Sequence, residues 1–194
     1  MKGVVFVELL ELLDDRFSME FTEKVIEAAR VPSAGAYNAL GQFNHRELLA
    51  LMEAYETCSN DDPTPIYREL GQRLVTRCIS EFPTLFRTDS CLSDTLGHME
   101  SLMHMDDLLV DQSSELPEIK MEQVTERQLV LDYFYDSRLA DFTIGLIHGS
   151  AEYHKLESTV HCLPMNHEGI QATRFLISMS EMKYGRLGDL QEAV

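Results

Sequence analysis

Apolar residues recur at helical spacing through the first half of the chain, and the period shifts to that of strands in the second half. Val4–Leu13 and Phe21–Ala29 read as short amphipathic helices. Asn44 followed by Glu47 has the form of a capping box ahead of a helix through Leu49, Leu51 and Tyr55. Asn60-Asp61-Asp62-Pro63 breaks the pattern. Thr64-Pro65 then supplies a cap and first-turn pair for a helix to about Ile79. A further helix is expected over Leu92–Val110, its apolar stripe made of Leu92, Leu96, Met99, Met103 and Val110.

Beyond the loop Asp111–Glu118, Ile119–Val124 and Leu129–Tyr135 alternate as strands around a turn at Thr125–Gln128. Asp136 is placed to cap a long helix running through Leu146 to about His154. Ser158–Leu163 and Ile170–Met179 read as a second hairpin closed by Met165–Gly169. The tail from Glu181 carries Gly185 and Gly188 and reads as a short or frayed helix. A helical N-terminal region followed by an antiparallel sheet interrupted by a helix is an α+β architecture. At 194 residues it is expected to be one domain. Its parts would be helical over about 1–62, then helices and sheet over about 63–180, with a tail at 181–194.

Charge and composition remove several functions. The 44% hydrophobic content and 25% charged content suit a globular fold rather than a disordered one. A formal charge of −17 opposes binding to nucleic acid or to an anionic membrane surface. No apolar run reaches the roughly 18–20 residues that span a bilayer. The N-terminus meets Glu8 and Glu11 too early for an export signal, so a cytoplasmic location is expected. Cys58, Cys78, Cys91 and Cys162 form no CxxC pair and read as reduced thiols rather than a zinc site.

Candidate chemistry is sparse. His104 lies off the centre of the apolar stripe, in line with Ser93, Gly97 and Ser101. Small residues beneath an imidazole leave a groove that a flat macrocycle could approach, although helix geometry alone favours a surface or boundary histidine. His98 precedes His104 by six residues, about 120° around the helix, so the two do not converge. His148 and His154 share that spacing. His161 and His167 flank the second hairpin's turn, either solvated or meeting across it. Tyr133 and Tyr135 share one strand face, which Ser137 would extend if the strand persisted. Gly145 and Gly149 suit close helix packing better than nucleotide binding. The sequence has no GxSxG, HExxH, DxDxDG or phosphate-binding glycine loop.

The chain resembles the H-NOX (haem nitric-oxide/oxygen binding) family in its stand-alone bacterial form. The resemblance runs through MKGVVF, YRELGQR (Tyr67–Arg73), SEFPTLF (Ser80–Phe86), the His104 helix and GLIHGSAEYH (Gly145–His154). His104, Pro117 and Tyr133 fall at the family's axial histidine, loop proline and strand tyrosine without a gap. The resemblance implies a helical N-terminal subdomain on a C-terminal four-stranded antiparallel sheet with helices. It implies haem b between the two parts, with His104 as the iron ligand. Val5, Leu9, Leu74, Phe142 and Leu146 match distal-pocket positions. In oxygen-binding members a tyrosine stands at the place of Phe142. Phenylalanine has no hydroxyl to hold bound O₂, so the resemblance implies an NO sensor, with CO as a surrogate ligand and no stable O₂ complex.

The family's Y-x-S-x-R, which grips the haem propionates, is altered here to Tyr133, Tyr135 and Ser137, with Arg138 one residue beyond the arginine position. A bend entering the next helix could return Arg138 to the site, and a register through Tyr135, Ser137 and Arg138 is the other possibility. Some members bind zinc through C-terminal cysteines and a histidine, and here only His161 and Cys162 lie there. By resemblance the protein partner is a histidine kinase or a cyclic-di-GMP enzyme. A second reading is an H-NOX-like interaction module with weakened or lost haem binding that holds another apolar ligand. An enzyme is a third, opposed by a pocket without a general acid or base.

Overall fold

In the computed structural model, described over residues 1–86, 90–104, 118–134, 136–167 and 170–182, five helices come first. These are α1 (Gly3–Arg16), α2 (Met19–Ala29), α3 (His45–Ser59), α4 (Thr64–Glu81) and α5 (Leu92–His104). Strands β1 (Glu118–Thr125) and β2 (Gln128–Phe134) form a hairpin, and a 3-10 turn (Ser137–Leu139) leads into α6 (Ala140–Tyr153). A second hairpin of β3 (Leu156–His167) and β4 (Ile170–Glu181) completes an antiparallel sheet of order β1-β2-β4-β3. The expected α+β architecture is the observed one.

Local chemistry sets the helix starts. Ser18 Oγ accepts from the Phe21 amide at 3.2 Å, and Asn44 Oδ1 accepts from the Arg46 amide at 3.0 Å. The capping box expected from Asn44 and Glu47 is only half formed. Glu47 is buried, and its carboxylate accepts from Ser33 Oγ at 2.5 Å and from the Tyr37 hydroxyl at 3.0 Å. A buried carboxylate needs several donors, and the loop ahead of α3 supplies them. Burial also pushes the Tyr37 phenol up from its ordinary pKa. Thr64 is the first residue of α4 rather than its cap, with Asp62 Oδ1 accepting from its amide at 2.9 Å.

Helices α4 and α6 cross in unusually close contact. A Cβ on Gly71 would lie 2.5 Å from the Phe142 carbonyl oxygen, and one on Gly145 would lie 2.1 Å from that of Arg68. Only glycine permits that approach, so the packing role read for Gly145 holds, and Gly149 faces Gln72 in the same seam. Arg68 closes the seam at its edge with a 2.9 Å hydrogen bond from Nε to Asp141.

Two apolar clusters result. The first gathers α1, α3 and α4 with Phe142 and Leu146 of α6 and Met99 of α5. The second lies on the inner sheet face, where Leu129, Leu131, Phe175 and Ile177 meet Ile147 and Ala151 of α6 and Leu92 and Leu96 of α5. Helices α5 and α6 therefore belong to both clusters and join the two halves. The expected stripe Leu92, Leu96 and Met99 is buried. The side chains of Met103 and His104, and Val110 with the rest of that stretch, lie outside the described residues.

Candidate functional site

The five residues matched to a distal pocket are brought together. Val5 and Leu9 sit one turn apart on α1, Leu74 follows Gly71 along α4, and Phe142 and Leu146 stand one turn apart on α6. None is more than 5% exposed, and all belong to the first cluster. Burial of each contributes roughly 1.5–3 kcal/mol, so packing of the fold holds this wall in place. Its side chains present no hydrogen-bond donor.

Beside the wall lies an apolar cavity of about 190 Å³. Val4, Leu40, Leu74, Cys78, Phe82 and Leu102 of α5 line it, together with the charged Lys2 and Glu81. The cavity therefore touches the wall at Leu74 and, at Leu102, the helix that ends on His104. It is smaller than the roughly 300–1,000 Å³ typical of small-molecule sites. Sequence reasoning missed Cys78 and Phe82, four and eight residues beyond Leu74 and so within reach of a helical-period reading. Burial pushes the Cys78 thiol up to about 12, which keeps it protonated.

The polar end is arranged differently. Tyr133 is buried on the inner sheet face, paired with Ile119 and Thr173. The expected continuation of that face to Ser137 is not found, because β2 ends at Phe134. Asp136 Oδ1 accepts from the Arg138 amide at 3.0 Å, which starts a 3-10 turn and carries Ser137 to the surface. Nor does the bend return Arg138 to the interior. Its side chain is 57% exposed, and its guanidinium forks onto Asp136, with Nε to Oδ1 at 3.0 Å and Nη2 to Oδ2 at 2.7 Å. A 3.4 Å contact to Glu53 of α3 completes its partners. The Arg138 hydrogen bonds hold Asp136 below the usual carboxylate range. Pro117 and Tyr135 lie outside the described residues.

The remaining histidines each have a separate place. His148 Nδ1 bonds Ser158 Oγ at 2.7 Å, and His154 Nε2 bonds Thr95 Oγ1 at 2.8 Å. His98 meets the Phe86 ring edge-on. His161 and His167 stand on the same strand, β3, opposite Leu176 and Ile170, so they do not meet across the turn. Among the described residues no three potential metal ligands gather.

The wall and the cavity lining have the apolar chemistry that a flat macrocycle needs, although the cavity as it stands is smaller than such a group. The cationic grip expected beside it is turned outward. The family model described as Haem-NO-binding matches residues 2–162. The chain belongs to the Haem-NO-binding (H-NOX) family. This is a family of haem-binding gas sensors, and its domains are sensor modules rather than catalysts. Among solved structures, the chain is similar to an Fe(II) unliganded H-NOX protein from K. algicida. The two share 22% identity, with 95% of this chain and 99% of that one covered, and a TM-score of 0.78. A mutant of the T. tengcongensis H-NOX protein matches at 17% identity over 95% of this chain and all of the other, with a TM-score of 0.75. An oxygen-binding H-NOX domain related to soluble guanylate cyclases matches at 17% identity over 93% and 96%, with a TM-score of 0.73. At these identities the likeness carries the H-NOX fold. No match was found among functionally curated proteins. No described helix is long and apolar enough to cross a membrane.

Proposed function

We propose that this H-NOX domain holds haem b on His104, senses NO, and signals by contact with a separate protein. Bound haem supplies the iron at which a diatomic gas is taken. The chain's own residues determine which gas is retained. The observation that carries this reading is the donor-free wall of Val5, Leu9, Leu74, Phe142 and Leu146, all buried in one cluster. Bound O₂ gathers partial negative charge and needs a hydrogen bond to persist, whereas NO and CO do not, so distal donors decide between them. The expected ligands are NO, with CO as a surrogate, and no lasting O₂ complex. The partner is a histidine kinase or a cyclic-di-GMP enzyme in the cytoplasm, met through a strongly acidic surface.

The test is to titrate the full chain with haem and record its absorbance, then repeat with His104→Gly. A Soret band that is lost or changes coordination in the variant supports the reading. No haem uptake by the parent chain sinks it. A ferrous protein that holds O₂ for minutes in air would overturn the gas selectivity.

The outward placement of Arg138 favours a second reading, an H-NOX interaction module with weakened haem binding that keeps its cavity for another apolar ligand. Absence of haem uptake by a folded parent chain is the result that selects it.

A further inference from the structure

Helix α5 is held unevenly along its length. Ahead of it, the Tyr153 hydroxyl donates to the Phe86 carbonyl at 3.0 Å. At its start, Asp94 accepts from the Cys91 amide at 3.0 Å. Thr95 has no exposed surface, and its hydroxyl shares a 2.8 Å hydrogen bond with His154, the C-cap that follows α6. Leu92 and Leu96 pack into the sheet cluster on the same half.

The other half differs. Gly97 opens it, and Ser101 Oγ bonds back to the Gly97 carbonyl at 2.9 Å, a contact that bends helices. Among the described residues, 97–102 make no hydrogen bond to another element and are tied by packing alone, with Met99 in the first cluster, His98 on the Phe86 ring and Leu102 at the cavity. His104 lies nine residues beyond Thr95, about 13 Å along the axis.

We propose that Thr95 and His154 are positioning residues that pin the fixed end of α5 to α6, so that displacement at the His104 end becomes a bend beyond Gly97. The hydrogen bond is placed to do this because Thr95 is wholly withdrawn from water and His154 partly so, and each would lose its partner if the helices separated. The role toward His104 rests on the haem reading above. The pin itself is open to test in the chain without haem.

Hydrogen exchange on the full haem-free chain is the first measurement. Thr95→Val keeps the shape and removes the hydroxyl. It should speed exchange of the amides over 92–102 by about tenfold while leaving β2 and β4 unchanged, and Thr95→Ser should restore the parent rates. His154→Leu removes the same bond from the other side and should give the same pattern. Parent-like rates in both Thr95→Val and His154→Leu would overturn the pin.

The second measurement is the iron–histidine stretching frequency of the haem-loaded ferrous chain, which a role confined to stability would leave in place. It should fall in Thr95→Val and return in Thr95→Ser. Faster exchange with an unchanged frequency would overturn the positioning role and leave only a structural bond. A parent chain that takes up no haem defeats the function proposed above and the role toward His104 together, a result distinct from either variant's behaviour.

Discussion

The apolar and polar ends of the candidate site rest on different physical foundations. Phe142 and Leu146 are buried by the same glycine seam that packs α4 on α6, so that wall follows from the fold and is complete without a ligand. Ser137 and Arg138 are placed by a turn that Asp136 dictates, outside both clusters and largely in water. Side chains fixed by a packed core change little with a single substitution elsewhere, whereas a turn can redirect a residue at the cost of one hydrogen bond. The polar end is thus where a family member can drift while the fold and the wall persist.

The sharpest way to break the first half of this contrast is to damage the seam. Gly145→Ala sets a methyl 2.1 Å from a backbone oxygen that cannot step aside. It should cost about 3 kcal/mol or more. Phe142→Ala empties a buried site and should cost about 3–5 kcal/mol. Urea denaturation of the haem-free chain measures both. A Gly145→Ala protein as stable as the parent would show that the helices do not approach as described.

Phe142→Tyr is the next step down. The new hydroxyl enters a wall that is donor-free and 2% exposed at this residue. Leaving it unpaired should lower the stability of the haem-free chain by about 1–3 kcal/mol. In the haem-loaded chain the same hydroxyl should lengthen the life of an O₂ complex, read by absorbance in air. Loss of stability without any O₂ retention would count against the assignment of this wall as distal.

How far the sequence disclosed this arrangement follows the same divide. Helical and strand periods located the helices and strands to within a few residues, because each buries one continuous face. They missed the 3-10 turn that Asp136 caps in place of the long helix, and read 165–167 as turn where the strand continues. The wall was legible by another route, the family resemblance, which gave Val5, Leu9, Leu74, Phe142 and Leu146 as matches to distal-pocket positions; periodicity says only that such residues are buried. The fates of Glu47, Ser137 and Arg138 were not legible. Each depends on which donor or acceptor lies nearest in space, and the partners include residues as distant in sequence as Glu53 is from Arg138. The Thr95–His154 contact, between residues 59 apart, was hidden in the same way.

A smaller effect should appear with pH. Burial holds His45, His148 and His154 below the ordinary histidine pKa, with Arg68 adding to the effect at His148 and Asp94 and Asp136 opposing it at His154 and His45. Below about 6.5 the unfolded chain then binds more protons than the folded one, so stability is complete above that pH and falls as pH drops through the depressed values. Thermal melts between pH 7.5 and 5 should show this decline, and His148→Gln should make it shallower. A melting temperature that rises on acidification across this range would contradict the burial of these rings.

The smallest expected effect is the most informative about the polar end. Arg138→Ala removes an exposed guanidinium whose partners are Asp136 and Glu53. Exposed ion pairs contribute about 0–1 kcal/mol, so stability near neutral pH should barely move. The change belongs at acid pH. The guanidinium keeps Asp136 ionised below the usual carboxylate range, so that contribution is present above about pH 3.9 and lost as pH falls through the lowered value. Without Arg138 that acid-range contribution shrinks. Haem affinity, followed by Soret titration, should be unchanged, because the side chain is exposed and held by Asp136 and Glu53. A large loss of haem affinity in Arg138→Ala, with the fold intact, would mean that the arginine leaves Asp136 and turns inward on haem binding. The contrast between a fixed wall and a drifted polar end would then give way to a polar end that forms only around its ligand.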